Sequence, residues 1–427
     1  MPRSILSDKP FARAAITNFF FFASLNAFVL LPIYIEQLGG TEIQIGFVMG
    51  VYSGVGIVFQ PLIGPWIDAI GRKPFMWLGV GLVAASCVLA MLTPTILTLG
   101  IVRVLQGFGF SAFFVANFSY VIDLVPPARR GWALGIYGVS GLASTALAPL
   151  VGEWVIRRFG FRALFAFATV LAAIAAALVW NIRERPRTEL RGTRGINWVH
   201  EGYGEILQRH MIVALFFGLG SGTIFAFLPT FADNLGVETL SLFYTAYAGA
   251  AMGVRIVGGR LIDTRGRRAV IVPSMFVQVA ATALLAALGI AVTRTDQTPV
   301  LPVLFVAGLM SGGAHGFAYP GLAALVADQA PEHRRGFVIG VFSAMFLIGQ
   351  TSGAFLFGYV AHGLGYGLMW TILTGILLIG AVFSVRLPEI PPGRLVRRAT
   401  RRGPVPRAGA EPAGYTEPSD FRPRRNP

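Results

Sequence analysis

The sequence predicts an all-α membrane protein with twelve transmembrane helices arranged in two six-helix bundles. Three observations predict this class: the composition, the length of the apolar runs and an internal repeat. Hydrophobic residues make up 55% and charged residues only 13% of the 427 residues, whereas soluble domains carry about 25% charged residues. So few charges do not cover a water-soluble surface of this size, and most of the chain is therefore expected to lie in lipid.

Apolar runs long enough to cross a bilayer as a helix, which takes about 20 residues, occur twelve times along the chain. They centre on 12–35, 45–67, 75–93, 97–121, 132–156, 162–182, 211–232, 240–262, 270–292, 300–326, 336–360 and 365–386. The shortest connections, at 93–95 and 363–365, contain Pro or Gly residues, which favour a turn over a continued helix. We therefore expect separate spans on either side of each.

The basic residues are distributed in a way that predicts the topology. The net charge is +15, with 35 Lys and Arg residues against 20 Asp and Glu residues. Nearly all of these cations fall before the first run, in alternate loops, in the central connection or after the last run. Because cytoplasmic loops carry the excess of Lys and Arg, we expect both termini in the cytoplasm and the protein in the cell inner membrane. The charge is thus a topology signal and predicts no nucleic-acid partner.

The chain divides into four predicted regions. Residues 1–182 form an N-terminal six-helix bundle, and residues 211–387 form a C-terminal one. The connection at 183–210 is a cytoplasmic linker, in which apolar residues at helical spacing predict a short amphipathic helix; they are Ile196, Val199, Tyr203, Ile206 and Leu207. Residues 388–427 are rich in Pro and Arg, which predicts a disordered, basic cytoplasmic tail.

An internal repeat relates the two bundles. The pattern G-x-x-x-D-x-x-G-R follows the second and the eighth run, with an offset of 195 residues. The pattern D-x-x-P-x-x-R-R-G follows the fourth and the tenth run, with an offset of 205 residues. The residues concerned are Gly64, Asp68, Gly71, Arg72, Asp123 and Arg130 in the first bundle and Gly259, Asp263, Gly266, Arg267, Asp328 and Arg335 in the second. Equal patterns after equivalent helices predict two parallel halves around a central cavity.

The first pattern resembles the signature loop of the major facilitator superfamily of secondary transporters, and the resemblance covers nearly the whole chain up to the tail. It implies that these residues form a latch, which holds one conformation and releases it during alternating access. Gly64 and Gly259 would allow helices to approach closely, and Asp68 could face a helix N-terminus or pair with a guanidinium. The basic residue that often follows the aspartate in the family is absent, since Ala69 and Thr264 stand there. The alternative is that these charges only cap helices and set the topology.

Five polar residues within the runs are candidates for coupling or substrate binding. Arg103 and Gln106 lie in a pattern, R-x-x-Q-G, that resembles the family's second motif, which is associated with proton coupling. Arg255 is expected about 12 Å from the cytoplasmic end of its helix, where an ionisable group indicates a functional site. His315 suits proton transfer or substrate binding, or it is simply packed among glycines. Glu153 is expected either to bind the substrate or a proton, or to act at a helix end.

The positions of small residues and of acids indicate the direction of transport and the charge of the substrate. Gly135, Pro149 and Gly152 match the motif typical of antiporters in the family, although other positions of that motif differ, and this favours export. The first run has no acid before Glu36, whereas many drug/proton antiporters of the superfamily have a membrane carboxylate there. An interior with several cations and few acids predicts an anionic or zwitterionic substrate.

The sequence therefore predicts a secondary active transporter that moves a small anionic or zwitterionic solute by alternating access, with proton-coupled efflux as the expected direction. Facilitated or proton-coupled uptake, a transporter-derived receptor or assembly scaffold, and a lipid flippase are the alternatives. No nucleotide-binding loop and no Cys/His pattern with metal spacing occur in the sequence, so we expect no enzyme activity, cofactor or metal site. The expected partners are the solute, protons and the lipid bilayer, and the chain is expected to act as a monomer.

Replacing Asp68 by Asn should slow transport about tenfold or more, the effect of roughly 1.4 kcal/mol on the rate-limiting step, because it removes one latch charge at nearly constant volume. Insertion into the membrane should be unchanged. Counterflow in proteoliposomes measures transport, and the yield of monodisperse protein measures insertion. Asp420→Asn in the predicted tail is the control. Unchanged transport kinetics in Asp68→Asn would contradict the latch hypothesis.

Overall fold

The computed structural model describes residues 9–92, 95–125, 130–182, 184, 208–237, 239–291, 300–330 and 335–389. For some residues within helices, among them Gly64, Asp68, Gly259 and Asp263, it describes the backbone alone. The linker helix predicted within 183–210 and the tail predicted at 388–427 lie outside the described residues, apart from residues 184, 208–210, 388 and 389.

Within the described ranges the chain is a succession of helices. They are α1 (Lys9–Gln37), α2 (Glu42–Ile70), α3 (Arg72–Leu92), α4 (Ile96–Leu124), α5 (130–159), α6 (161–180), α7 (Arg209–Asn234), α8 (Ser241–Thr264), α9 (Arg268–Ala291), α10 (Val300–Gln329), α11 (335–364) and α12 (366–384).

Nine segments of the described chain are long and apolar enough to cross a membrane. Two of them, 136–180 and 338–384, are each divided by a glycine whose backbone is not helical. Gly160 has a φ of 78° and Gly365 a φ of 76°, values that glycine reaches at little cost because it has no Cβ. Of the helices in the described ranges, α8 is the one that is not part of these nine segments. The predicted all-α membrane fold is confirmed, and the helices are consistent with the twelve predicted spans.

α1 is not regular throughout its length. An α-helix over Lys9–Asn26 passes through a 3₁₀ turn at Ala27–Leu30 into a second α-helix at Leu31–Gln37. Pro32 has no backbone N–H and its ring crowds the turn before it, which accounts for the tightened segment. Asn26, which precedes this turn, donates a hydrogen bond from Nδ2 to Ser144 Oγ of α5 at 2.9 Å. A hydrogen bond within the N-terminal half therefore holds the irregular segment.

Glycines allow the helices of each half to approach closely. A Cβ added to Gly79 on α3 would lie 2.6 Å from the carbonyl oxygen of Gly109 on α4. In the C-terminal half, a Cβ added to Gly312 on α10 would lie 1.9 Å from the carbonyl oxygen of Tyr247 on α8. Such backbone contact is typical of membrane helices, because lipid supplies no hydrophobic drive between helices and close packing has to supply the attraction.

The helix ends fall into two sets, because successive helices run in opposite directions. The repeated patterns lie where α2 meets α3, where α4 ends, where α8 meets α9 and where α10 ends; we call this the motif end. The connections from α1 to α2, from α5 to α6, from α7 to α8 and from α11 to α12 lie at the other end, which we call the opposite end.

The two halves meet through α2 against α11 and through α5 against α8. A Cβ added to Gly46 on α2 would lie 2.3 Å from the carbonyl oxygen of Ala354 on α11. Nearer the opposite end, His362 Nδ1 lies 2.9 Å from a carboxylate oxygen of Glu42. The hydrogen bonds that join described residues of different halves lie between the opposite end and the middle of the helices. These contacts close the molecule at the opposite end.

Replacing Gly312 by Ala should destabilise the protein by about 1–3 kcal/mol, the usual cost of overpacking, because the added methyl group forces α8 and α10 apart. Its thermal unfolding temperature in detergent should fall accordingly. Gly313→Ala is the matched control, since nothing lies within 4 Å of a Cβ added there, and it should unfold at the same temperature or slightly higher. Equal unfolding temperatures for both variants would contradict the close contact.

Candidate functional site

An ion pair joins α3 to α4 at the motif end. Arg72, the first residue of α3, pairs with Asp123 near the end of α4. Gly71, with a φ of 108°, turns the chain from α2 into α3. The side chain of Arg72 is 9% exposed and that of Asp123 is 48% exposed, so the pair lies at the border between the packed helices and the surface.

The C-terminal half repeats this pair. Arg267 Nε lies 3.1 Å from Asp328 Oδ2, with side chains 12% and 18% exposed. Gly266, with a φ of 91°, lies between α8 and α9 as Gly71 lies between α2 and α3. The sequence predicted all of these residues as latch members but not which base pairs with which acid. The structure shows that each pair stays within one half.

Two further acids act at the motif end. Glu184, just after α6, accepts hydrogen bonds from the backbone N–H groups of Arg72 (2.7 Å) and Lys73 (3.1 Å). A carboxylate in this position satisfies free N–H groups and faces the positive end of the α3 dipole. Glu389, just after α12, lies 3.9 Å from Arg268 Nη1. Sequence reasoning missed both acids. Their shared position after the sixth helix of each half is the signal that could have found them.

The other latch residues are described less fully. Gly64 and Asp68 lie in the final two turns of α2, and Gly259 and Asp263 lie in the final two turns of α8. Arg130 and Arg335 begin α5 and α11. The side-chain contacts of these six residues lie outside what the structure describes. Their part in gating stays a prediction.

Glu153 lies at the opposite end and links the two halves. One of its carboxylate oxygens accepts a hydrogen bond from the backbone N–H of Leu240 (2.9 Å), and the other accepts one from Ser241 (3.1 Å). Both donors belong to the start of α8, in the other half. Arg157 forms an ion pair with the same carboxylate at 3.2 Å. The carboxylate therefore caps a helix across the interface, which agrees with the helix-end alternative for this residue.

Arg103 and Gln106 contact each other inside the N-terminal half. Arg103 Nη1 donates a hydrogen bond to Gln106 Oε1 at 2.9 Å, and the guanidinium carbon lies 4.4 Å from the ring centroid of Tyr52 on α2. Arg103 is 6% exposed, and it forms no ion pair with any described acid. The hydrogen bond and the cation–π contact offset part of the cost of burying this charge. The pair therefore connects α4 to α2.

Arg255 and His315 come together in the C-terminal half. His315, at the middle of α10, lies 5.6 Å from Phe217, 5.7 Å from Tyr247 and 5.8 Å from Tyr319, measured between ring centroids. Arg255 on α8 interacts electrostatically with His315 and with both tyrosines. The sequence singled out Arg255 and His315 separately. It did not indicate that they share one cluster, nor did it indicate either tyrosine.

A small cavity, with room for about one water molecule, adjoins His315. Its walls come from α7, α8, α9 and α10 and consist of Phe217, Ser221, Ile224, Phe225, Tyr247, Gln278 and His315. Among the described residues, His315 Nδ1 and Arg255 Nε are buried polar atoms that lack a hydrogen-bond partner. Such atoms are costly when they stay unpaired, and of the two residues His315 lines the cavity.

Arg255 approaches α5 of the N-terminal half at Gly138, whose neighbours in sequence belong to a hydrogen-bonded set of uncharged side chains. Tyr137 on α5 donates a hydrogen bond to Asn18 Oδ1 of α1 at 2.6 Å, and Asn18 Nδ2 donates to Ser140 Oγ at 2.9 Å. A Cβ added to Gly138, next to Tyr137, would lie 3.1 Å from Arg255 Nη1. Arg255 therefore extends from α8 to α5 and lies between the halves. It forms no ion pair with any acid that the structure describes.

Replacing Glu153 by Gln should loosen the closure at the opposite end, because the neutral amide offers one acceptor oxygen and no charge to the α8 dipole. A cysteine at Thr245, introduced after Cys87→Ser, reports the opening of the α5–α8 contact. Its labelling by a membrane-impermeant maleimide should become about tenfold faster, which corresponds to the loss of a charge-assisted hydrogen bond. Asp233→Asn, an exposed acid at the same end, is the control. The same rate for Glu153→Gln and the unchanged chain would disprove the role of this cap.

Known proteins are similar to this chain in sequence or in fold. The staphylopine export protein of Staphylococcus aureus is 24% identical over 390 residues, which cover 88% of this chain and 95% of that protein. The multi-drug resistance efflux pump PmrA of Streptococcus pneumoniae is 25% identical over 364 residues, which cover 82% and 88%. A crystal structure of the nucleoside transporter NupG matches with a TM-score of 0.73 at 16% identity, covering 88% of this chain and 99% of that one.

The family model of the Major Facilitator Superfamily matches residues 14–296 and 211–423. These two matches cover almost the whole chain, and their overlap agrees with the internal repeat. The chain therefore belongs to the Major Facilitator Superfamily and is a multi-pass membrane transporter of that family.

Proposed function

We propose that this transporter moves a small anionic or zwitterionic solute through a site centred on Arg255, in a proton-coupled cycle that exports the solute across the cell inner membrane. One observation carries the proposal: Arg255 lies between the halves without an acidic partner among the described residues. A cation in a membrane interior is costly unless it is paired or faces a polar cavity. A bound carboxylate or phosphate group supplies the missing partner.

Alternating access is supported by where the contacts lie. The Glu153 cap and the α2–α11 contact hold the halves together at the opposite end. The ion pairs at the motif end, formed by Arg72 and by Arg267, each lie within one half and move with it as a rigid body. Rocking of the halves then opens the opposite end and closes the motif end, as in other two-repeat transporters. The distribution of Lys and Arg supports a cytoplasmic position for the motif end and both termini, and closure at the opposite end then supports an inward-facing conformation.

Protonation of His315 couples protons to a zwitterionic solute by competition. The solute carboxylate binds Arg255, and its ammonium group lies towards His315 and the surrounding rings, which attract cations. A protonated imidazole and an ammonium group repel each other, so a proton and the solute bind alternately. Proton entry then drives solute exit. Export is further supported by the names of the related export and efflux proteins and by the antiporter-like Gly135, Pro149 and Gly152.

Uptake is the second candidate, and the same cluster favours it for a solute that carries only negative charge. Protonating His315 places a second positive charge beside Arg255, which strengthens the binding of an anion. The proton and the anion then travel together. The sign of the pH effect on solute affinity therefore separates antiport from symport.

Transport in proteoliposomes with an imposed pH gradient tests the proposal, using labelled carboxylates and amino acids as solutes. We expect gradient-dependent movement of at least one of them by the monomeric protein. Arg255→Gln should lower this transport at least about tenfold, and Arg255→Lys should retain part of it, whereas Arg158→Gln at an exposed position should have no effect. Binding without movement under any gradient would favour a receptor or scaffold. Unaltered affinity in Arg255→Gln would remove this residue from the site.

A further inference from the structure

A row of phenylalanines lies on one face of α4. The rings of Phe110 and Phe114 stack with centroids 5.3 Å apart and an interplanar angle of 19°, and Phe118 continues the row at 5.7 Å. Phe22 on α1 lies 5.8 Å from Phe110, and Tyr52 on α2 lies 5.6 Å from the same ring. All five rings are only partly buried. We call Phe22, Tyr52, Phe110 and Phe114 the N-terminal ring cluster.

The row faces the inside of the protein. α3 covers the other side of α4 at Gly109, while α1, α2 and α5 each place a ring beside the row. The ring from α5 is Tyr137, 6.2 Å from Phe118, and its neighbour Gly138 faces Arg255. Helices of the same half thus flank the row, and the α5 segment that adjoins it at Tyr137 is the one that Arg255 approaches from the other half.

The internal repeat places rings at the corresponding positions of the C-terminal half. The offset of 195 residues relates α2 to α8, and the offset of 205 residues relates α4 to α10. The corresponding residues are Tyr247 for Tyr52, His315 for Phe110 and Tyr319 for Phe114. On α7, Phe217 contacts His315 as Phe22 on α1 contacts Phe110, although the repeat does not align these two phenylalanines. We call Phe217, Tyr247, His315 and Tyr319 the C-terminal ring cluster.

The contacts repeat together with the positions. His315 lies 5.6 Å from Phe217, 5.7 Å from Tyr247 and 5.8 Å from Tyr319. The corresponding distances around Phe110 are 5.8, 5.6 and 5.3 Å. The two clusters thus have the same arrangement of rings but different chemistry. The C-terminal cluster has an imidazole and a phenol where the N-terminal cluster has two phenyl rings, and Arg255 lies beside it.

We propose that the two ring clusters together bind one solute, whose aromatic body stacks on the N-terminal cluster while its carboxylate or other anionic group binds Arg255. The substrate class is then the aromatic organic anions and aromatic zwitterions, and Phe110 and Phe114 determine specificity. This proposal rests on the proposed function, which assigns the charged end of the solute to Arg255.

Depth and chemistry both support a single site. Phe110 and His315 lie at the middle of α4 and of α10, which is the depth at which transporters of this architecture bind their substrates. Partly exposed phenyl rings in a stacked row offer faces and edges to another ring, and such pairs favour aromatic over aliphatic groups of equal size beyond the burial of area. Arg103, over Tyr52, is buried and bonded to Gln106, so the charged end of a solute is left to Arg255. A solute with an apolar ring and one charged end then matches the stacked phenyl rings of one half and the Arg255 guanidinium of the other.

Equilibrium binding of matched solutes to the purified full-length protein tests the inference. The pairs are phenylacetate with hexanoate, as anions, and phenylalanine with leucine, as zwitterions. We expect the aromatic member of at least one pair to bind about tenfold more tightly than its aliphatic partner. Phe114→Leu should abolish this preference, so that the two members of the pair bind with similar affinity.

Three further variants keep the outcome interpretable. Phe114→Tyr retains a ring and should keep the preference. Phe108→Leu is the control on the same helix, because Phe108 packs edge-on against Phe59 at 4.0 Å. This variant should also keep the preference for the aromatic solute. Phe110→Leu provides a second test if thermal unfolding shows that Phe114→Leu is not folded.

The results separate this inference from the proposed function. Equal affinities within both pairs, or a preference that survives Phe114→Leu and Phe110→Leu in folded protein, would overturn the ring site. If Arg255→Gln still abolishes binding in that case, the proposed function stands without it. An affinity that Arg255→Gln leaves unchanged would overturn the proposed function. It would also overturn the assignment of the solute's charged end to Arg255.

Discussion

A charge surrounded by hydrocarbon has to be paired, capped or turned towards a polar space, and this constraint accounts for the position of the ionic groups in the described helices. Arg72 and Arg267 each pair with an aspartate of their own half. Glu153 caps a helix of the other half. Arg103 lies over an aromatic ring and bonds to an amide. Arg255 differs from all of these, since it lies between the halves and, among the described residues, neither an acid nor an amide side chain pairs with it.

The placement of these groups separates two mechanical tasks. Contacts within each half, such as the paired ions at the motif end and the glycine contacts between α8 and α10, make the half move as one body. Contacts between the halves are concentrated at the opposite end, where Glu153 and the α2–α11 approach hold them together. A proposed cycle of rocking halves needs this division, because the strong contacts persist while the weaker ones at one end break.

Duplication explains both the symmetry of the centre and its asymmetry. The two ring clusters keep the same contacts because the same helices pack in the same way in each half. At the positions of Phe110 and Phe114, the second half has His315 and Tyr319, which add hydrogen-bonding atoms without changing the shape of the cluster. A site between two related walls therefore has stacked phenyl rings on one side and an imidazole, a phenol and Arg255 on the other. Recognition of a solute with one apolar and one charged end follows from that difference.

The apolar runs and the repeated loop patterns determined much of this protein by sequence alone. A run of about 20 apolar residues has few alternatives to a membrane helix, so the all-α class and the twelve spans could be predicted. Arg255 and His315 stood out because an ionisable residue in such a run is rare. Glu184 and Glu389 were missed because an acid in a polar connection reads as a surface residue, and Tyr247 and Tyr319 were missed because aromatic residues are ordinary in membrane helices.

Only the tertiary structure decided which of these residues meet. Arg72 pairs with Asp123, 51 residues away, and Glu153 caps a helix that begins 87 residues later. The ring clusters draw on three helices each. Hydropathy reports which residues avoid water, and the repeat reports which positions correspond. Neither reports contacts between distant helices, because those depend on where glycines let backbones approach and on how each half packs as a whole.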